Sequence, residues 1–181
     1  ENLDAPIRYY AFSPCYRREA GSYGKDTKGI IRVHQYDKLE MFSFTKPEDS
    51  EAEHALLLSI EEELMQGLGL PYRVIKQCTG DLGLPAARKF DIETWLPSQD
   101  TYRETHSTST CTDWQARRLN TRYKNGEGET KYVHTLNGTA FAIGRTMVAI
   151  LENYQREDGS VAVPGVLQAF LGGKTVLKPR K

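Results

Sequence analysis

The chain has 181 residues, 39% hydrophobic and 27% charged, and its 24 basic and 24 acidic side chains cancel to zero net charge. That balance suits one globular domain with a buried core and excludes a disordered chain, and no apolar run approaches the ~20 residues of a membrane span. Without an overall charge, any nucleic-acid contact has to come from a local patch. Cys15, Cys78 and Cys111 are odd in number and far apart, which argues against a disulfide framework and for a reducing, cytoplasmic setting. The chain opens at Glu1 and runs at once into the strand-like Pro6-Ile7-Arg8-Tyr9-Tyr10, so a fragment of a longer protein is expected.

In chain order, the aromatic-rich segment 8–19 reads as a strand, and 20–29, with three glycines and Lys25 and Lys28, as a mobile basic loop. Segment 30–44 alternates: Ile31, Val33, Leu39 and Met41 take one side, while Arg32, His34, Tyr36, Lys38 and Glu40 take the other. Together these segments predict a long antiparallel hairpin. From about Glu48 to Met65 the pattern is helical, with Ala52, Leu56, Ile60 and Leu64 at fourfold spacing and Leu57 beside them. Ser50 and Glu53 have the spacing of a capping box, and Gly67 and Gly69 mark the helix end.

Further strands are expected over 72–77, 90–95, 102–110 and 131–136, a short helix over 113–119, and a long helix over 139–154. Strands in pairs with few interleaved helices predict an α+β domain, an antiparallel sheet flanked by helices. A doubly wound nucleotide-binding sheet does not fit, because neither a GxGxxG turn nor a P-loop occurs.

Arg17 and Glu19 lie two apart on a strand and share a face. A guanidinium there can grip a phosphate or carboxylate through paired hydrogen bonds, and a carboxylate can accept from an amino group. A cross-strand ion pair on a solvated face explains the same residues. Arg32, Tyr36 and Glu40, spaced by four, line up a cation, a flat ring and a carboxylate that could meet triphosphate, base and amino acid; a solvated face is the competing explanation.

The run Cys15-Tyr16-Arg17-Arg18-Glu19-Ala20-Gly21-Ser22, with Gly24-Lys25-Asp26, Gly29, Arg32 and His34-Gln35-Tyr36-Asp37-Lys38-Leu39-Glu40, resembles motif 2 of the class II aminoacyl-tRNA synthetases, in the version of the seryl enzymes. Leu136-Asn137-Gly138-Thr139-Ala140, Gly144-Arg145-Thr146 and Glu152-Asn153-Tyr154-Gln155 resemble motif 3. Tyr102-Arg103-Glu104-Thr105-His106-Ser107 and Asp113-Trp114-Gln115-Ala116-Arg117-Arg118 are similar to the connecting segment, and Asp158-Gly159, Val163-Pro164 and Leu167 to the tail.

The resemblance implies a serine-tRNA ligase catalytic core over 1–181 that joins serine to ATP as an adenylate and passes the seryl group to tRNA(Ser). Arg17 would hold the α-phosphate and the serine carboxylate, and Glu19 would accept from the adenine amino group. Tyr36 would stack on adenine, with Arg145 on the other face and reaching the γ-phosphate, while Arg32 helps hold the triphosphate. Glu104 and Ser107 would complete a magnesium site. Those two fall on opposite faces of an ideal strand, so a bulge or strand end has to intervene. Glu40, Asn137 and Thr139 would contact serine, and a site built to bond a hydroxyl refuses alanine. Lys25 and Lys28 would touch the tRNA acceptor end, with a plain solvated loop as the other reading.

His34, His54, His106 and His134 lack metal spacing and read as structural or exposed, and the Asn137-Gly138-Thr139 sequon is idle in a cytoplasmic chain. Motif 1, which builds the class II homodimer, and the helical arm that grips tRNA are not recognised. Two departures from the seryl pattern are Tyr36, where phenylalanine is frequent, and Thr108, where cysteine is common. The rival readings are an amino acid:carrier-protein ligase-like relative, which would need two cysteines and an acidic residue around zinc, and a non-catalytic paralogue, which loss of Arg17, Glu19 or Arg145 would have favoured.

Overall fold

The computed structural model describes residues 2–19, 26 and 29–179. Lys25 and Lys28 therefore lie outside the described residues. The main sheet contains six strands in the order β1-β2-β8-β5-β4-β3, every neighbouring pair antiparallel. They are β1 (Ile7–Tyr16), β2 (Gln35–Thr45), β3 (Tyr72–Lys76), β4 (Arg88–Leu96), β5 (Thr101–Thr110) and β8 (His134–Ala142). A small hairpin pairs β6 (Arg122–Lys124) with β7 (Thr130–Tyr132), and β9 (Val161–Ala162) pairs with β10 (Val176–Leu177). The helices are α1 (Ser50–Leu68), α2 (Trp114–Leu119), α3 (Ile143–Tyr154) and α4 (Gly165–Gln168). This is the expected α+β architecture.

The core lies where α1 and α3 meet the sheet. Met65 and Leu68 of α1, Ile92 and Leu96 of β4 and Ala149 of α3 form one buried cluster, with Phe141 and Tyr154 packed against it. A fully buried side chain of this size contributes on the order of 1.5–3 kcal/mol. Tyr154 also ties α3 to the end of α1, its hydroxyl donating to the Leu68 carbonyl at 2.6 Å. Gly69 closes α1 at φ 65°, and a Cβ there would stand 2.6 Å from that hydroxyl.

Four elements depart from the sequence reading. The first strand stops at Tyr16, and Glu19 takes a left-handed φ of 53°. Residues 30–34 alternate in sequence but are not strand; Ile31 is buried, and its carbonyl accepts from the Arg145 side chain rather than from a ladder partner. The helix expected from Thr139 begins at Ile143, because 139–142 continue β8 against Lys38–Glu40. Short apolar runs serve either structure, and tertiary pairing decided this one.

In α1, Ala52 is exposed and Leu56, Ile60 and Leu64 are half-buried, whereas Glu53, His54, Leu57, Glu61, Met65 and Leu68 face inward. The inward face is turned by one residue because the sheet offers polar partners there. Glu53 accepts from Arg8 of the edge strand at 2.7 and 2.8 Å and from Ser43 at 2.7 Å. The capping box is thus not made; Asp49 precedes the helix without a side-chain cap, and Ser50 meets Thr110 at 3.2 Å. Glu53 instead fastens β1, exposed along nearly its whole length, to α1 across β2.

Candidate active site

Two one-residue bulges shape the open face of the sheet. Between β4 and β5, Ile92 pairs with His106 and Glu93 with Glu104, leaving Thr105 as the extra residue. The extra residue reverses the alternation, so Glu104 and Ser107 come to one face, as a joint site requires. Between β2 and β8, Leu39 pairs with Phe141 and Glu40 with Thr139, leaving Ala140 as the extra residue. The second bulge seats Thr139 directly opposite Glu40.

Above this surface is a solvent-open cleft of about 660 Å³. Arg17, Glu19, Arg32, Tyr36, Glu104, Ser107, Thr139 and Arg145 all line it. Arg17 follows β1, its backbone N–H donating to His34 at 2.9 Å and its guanidinium 5.8 Å from the Tyr36 ring. Arg145, in the first turn of α3, is aimed by two carbonyls: it donates to Ile31 at 3.2 Å and to Glu104 at 2.7 Å. Its guanidinium also lies 3.5 Å from the Glu104 carboxylate.

Arg32 donates to Glu19 at 2.5 Å and lies 3.8 Å from Asp26, which also pairs with Arg103. The hydrogen bond from Arg32 holds the Glu19 carboxyl below the usual carboxylate range, with Arg17 and Arg145 adding to the effect. Glu19 therefore stays ionised at neutral pH while accepting from Arg32, and Arg17, Arg32 and Arg145 bring positive charge to the cleft.

Thr139 and Lys38 line the cleft, whereas Glu40 and Asn137 are not in its lining and join it through Thr139. Asn137 Nδ2 donates to Glu40 Oε1 at 3.0 Å, Thr139 Oγ1 donates to Oε2 at 3.1 Å, and Lys38 Nζ lies 2.8 Å from Oε2. A carboxylate offers about four lone-pair positions. Three are taken, and the one left on Oε1 suits a single hydroxyl or ammonium donor.

Glu104 and Ser107 offer hard oxygen donors on one face, and a lone carboxylate sharing its cation with substrate phosphates is the pattern magnesium favours. The residues fit that ion. Zinc is different: among the described residues no three His, Cys, Asp or Glu side chains are grouped to hold a metal; Cys15 lies in β1, and Cys78 and Cys111 in separate connecting segments.

Three features of the site escaped sequence reading. Lys38 was legible as part of the polar face but not as the partner of Glu40. His106 is buried, as its structural reading allowed, but nothing in the sequence placed it in the cleft lining; burial pushes its imidazole pKa down to about 4. Glu61 of α1 is fully buried where a Cβ on Gly138 would come within 2.9 Å of its Oε1. Burial drives its carboxyl up to about 9, with Glu40 and Asp91 adding repulsion, so it is neutral at pH 7.

The family profile of the tRNA synthetase class II core domain (G, H, P, S and T) matches residues 1–154. The chain is 61% identical over 174 residues to the serine–tRNA ligase of Clavibacter michiganensis, covering 96% of this chain and 41% of that protein. Against the serine–tRNA ligase of Dictyoglomus thermophilum it is 54% identical over 181 residues, covering 100% and 42%. Among solved structures it is similar to the seryl-tRNA synthetase of Pyrococcus horikoshii complexed with ATP (TM-score 0.94, 52% identity, 98% of this chain and 40% of that one). It is also similar to the cytoplasmic serine–tRNA ligase of Naegleria fowleri in complex with AMP (TM-score 0.91, 44% identity, 98% and 42%). The chain thus spans about two-fifths of the length of these relatives.

Proposed function

This chain belongs to the family of class II tRNA synthetase core domains, and from that premise we propose that its cleft activates serine with ATP and that the full-length protein passes the seryl group to tRNA(Ser). The observation that carries the reading is the cleft itself: three arginines and a tyrosine line it together with Thr139, which bonds Glu40, and Asn137 bonds the same carboxylate. The matches to relatives named for serine, two of them solved with ATP or AMP, support it.

In the reaction, a serine carboxylate oxygen attacks the α-phosphorus of ATP, forming the seryl-adenylate and releasing pyrophosphate. The carboxylate is already ionised, so no general base is needed. Arg17 would bring carboxylate and α-phosphate together and stabilise charge on the phosphorus as it becomes pentacoordinate. Arg32 and Arg145 would hold the outer phosphates, with adenine between Tyr36 and Arg145 and its amino group on Glu19. Magnesium held by Glu104 and Ser107 would neutralise phosphate charge. Glu40, Asn137 and Thr139 would take the serine, and an alanine would leave the spare acceptor position on Glu40 without its donor, a discrimination of roughly 10⁴-fold. In the transfer step the terminal ribose hydroxyl of tRNA attacks the adenylate carbonyl and AMP leaves.

The tRNA-gripping arm, the homodimer contact and a cytoplasmic location belong to the same proposal for the full-length protein. Its test is pyrophosphate exchange into ATP. Full-length protein should exchange with serine and far less with alanine, threonine or glycine; a folded sample without serine-dependent exchange defeats the reading. Exchange driven by another amino acid, dependent on zinc, would favour the carrier-protein ligase reading instead.

A further inference from the structure

The two bulges that build the cleft are joined to each other by one side chain. The backbone ladder between β5 and β8 ends at the pair Thr108 and Gly138. Two residues further along each strand stand His106 and Ala140, and here the connection passes to the imidazole: His106 Nε2 lies 2.9 Å from the Ala140 carbonyl. Its Nδ1 lies 2.9 Å from the Thr105 hydroxyl. Ala140 is the extra residue of the β8 bulge, and Thr105 is the extra residue of the β5 bulge.

The chemistry sets the direction of this chain of bonds. A carbonyl only accepts, so Nε2 carries the hydrogen and donates to Ala140. Nδ1 of the neutral ring then accepts from the Thr105 hydroxyl at 2.9 Å, which the Ile92 carbonyl shares more weakly at 3.3 Å, and Thr105 accepts in turn from Thr94, whose hydroxyl is 2.7 Å away. Each donor along the line has an acceptor. His106, Thr105 and Thr94 are all nearly or fully buried, so no water stands ready to replace a lost partner. The ring is further held edge-on against Phe141, 6.1 Å between centroids.

The β5 bulge brings Glu104 and Ser107 to the cleft; the β8 bulge seats Thr139 against Glu40. We propose that His106 is a positioning residue that locks one bulge to the other, and so fixes the separation between the phosphate end of the cleft and its amino-acid end. The inference rests on the serine-activating function proposed above. It reaches a residue that lines the cleft from an almost wholly buried position and acts through the backbone of two strands.

The consequence falls on rate rather than on binding. Each end of the cleft keeps its own side chains when the lock is removed, but the carboxylate and the α-phosphate no longer meet at a fixed distance. Misplacement of about 1 Å between reacting groups costs about 100-fold in rate. His106→Phe keeps a ring of similar size and loses both hydrogen bonds. His106→Gln keeps a donor at the reach of Nε2 and restores the bond to Ala140.

The test is pyrophosphate exchange by full-length protein, with each variant's folded fraction fixed by urea denaturation and rates given per folded molecule. His106→Phe should lower kcat about 10- to 100-fold while the KM values for serine and ATP stay within about threefold, and His106→Gln should recover kcat to within a few-fold of wild type. A His106→Phe enzyme with wild-type kcat per folded molecule overturns the proposal, as does a rise in KM with kcat unchanged or a glutamine variant no better than phenylalanine. Wild-type protein without serine-dependent exchange fails at the earlier step and removes the functional reading itself.

Discussion

Glu61→Gln should make the protein more stable at neutral and alkaline pH, by an amount that grows with pH. The carboxyl of Glu61 is wholly buried, with neither oxygen in a well-formed hydrogen bond, and its pKa is raised from 4.5 to about 9, chiefly by burial. The folded state therefore keeps a proton that the unfolded chain releases above pH 4.5. Stability from this group is complete below 4.5 and is lost as pH rises towards 9, at about 1.4 kcal/mol per pH unit. Glutamine has the same shape and no proton to lose. Between pH 5 and pH 8 the difference in unfolding free energy between Glu61→Gln and wild type should grow by up to about 4 kcal/mol. His54, His106 and His134, whose pKa values burial lowers, push the other way, gaining stability as pH rises towards 6.5 and no more above it. They are common to both proteins and cancel in the difference. Urea denaturation of the two full-length proteins at pH 5, 6, 7 and 8 reads the effect. A difference constant to within about 0.5 kcal/mol across that range refutes the reasoning.

Gly138→Ala places a Cβ 2.9 Å from Glu61 Oε1 and 3.3 Å from both Met41 Cε and Thr108 Oγ1, which should cost about 1–3 kcal/mol in urea denaturation. Combining it with Glu61→Ala should recover at least about 1 kcal/mol of that loss in a double-mutant cycle. Arg17→Ala should abolish serine-dependent exchange while unfolding free energy changes by less than about 0.5 kcal/mol, since the residue is solvent-exposed. Glu40→Gln should raise the KM for serine at least about tenfold and leave the KM for ATP within about threefold, because it removes the charge at the amino-acid end alone.

The fold class was legible because the strands come in adjacent pairs and the first long helix carries a clear period. The alternation of Arg17, Glu19, Arg32, Tyr36 and Glu40 along two neighbouring segments left a solvated face as an equal reading; the motif order tied them to Asn137, Thr139 and Arg145, and of these all but Glu40 and Asn137 line the cleft. What stayed hidden depended on contacts between distant segments. The inward face of α1 carries Glu53, His54 and Glu61, which no hydrophobic count would choose; Arg8, Ser43 and Arg88 on the sheet make such a face stable for the first two. The end of β8 was misread as helix because Thr139 to Ala142 gain their strand character only from β2. The need for an interruption near Glu104 and Ser107 followed from strand geometry, but its place at Thr105 and its twin at Ala140 required coordinates.

A crystal structure of the full-length protein with a non-hydrolysable seryl-adenylate analogue tests the central claim most directly. Adenine should lie between Tyr36 and Arg145 with its amino group on Glu19, and the seryl end should reach the free position on Glu40 beside Asn137 and Thr139. An analogue bound in the opposite sense, or one that leaves Glu40 untouched, would contradict the account.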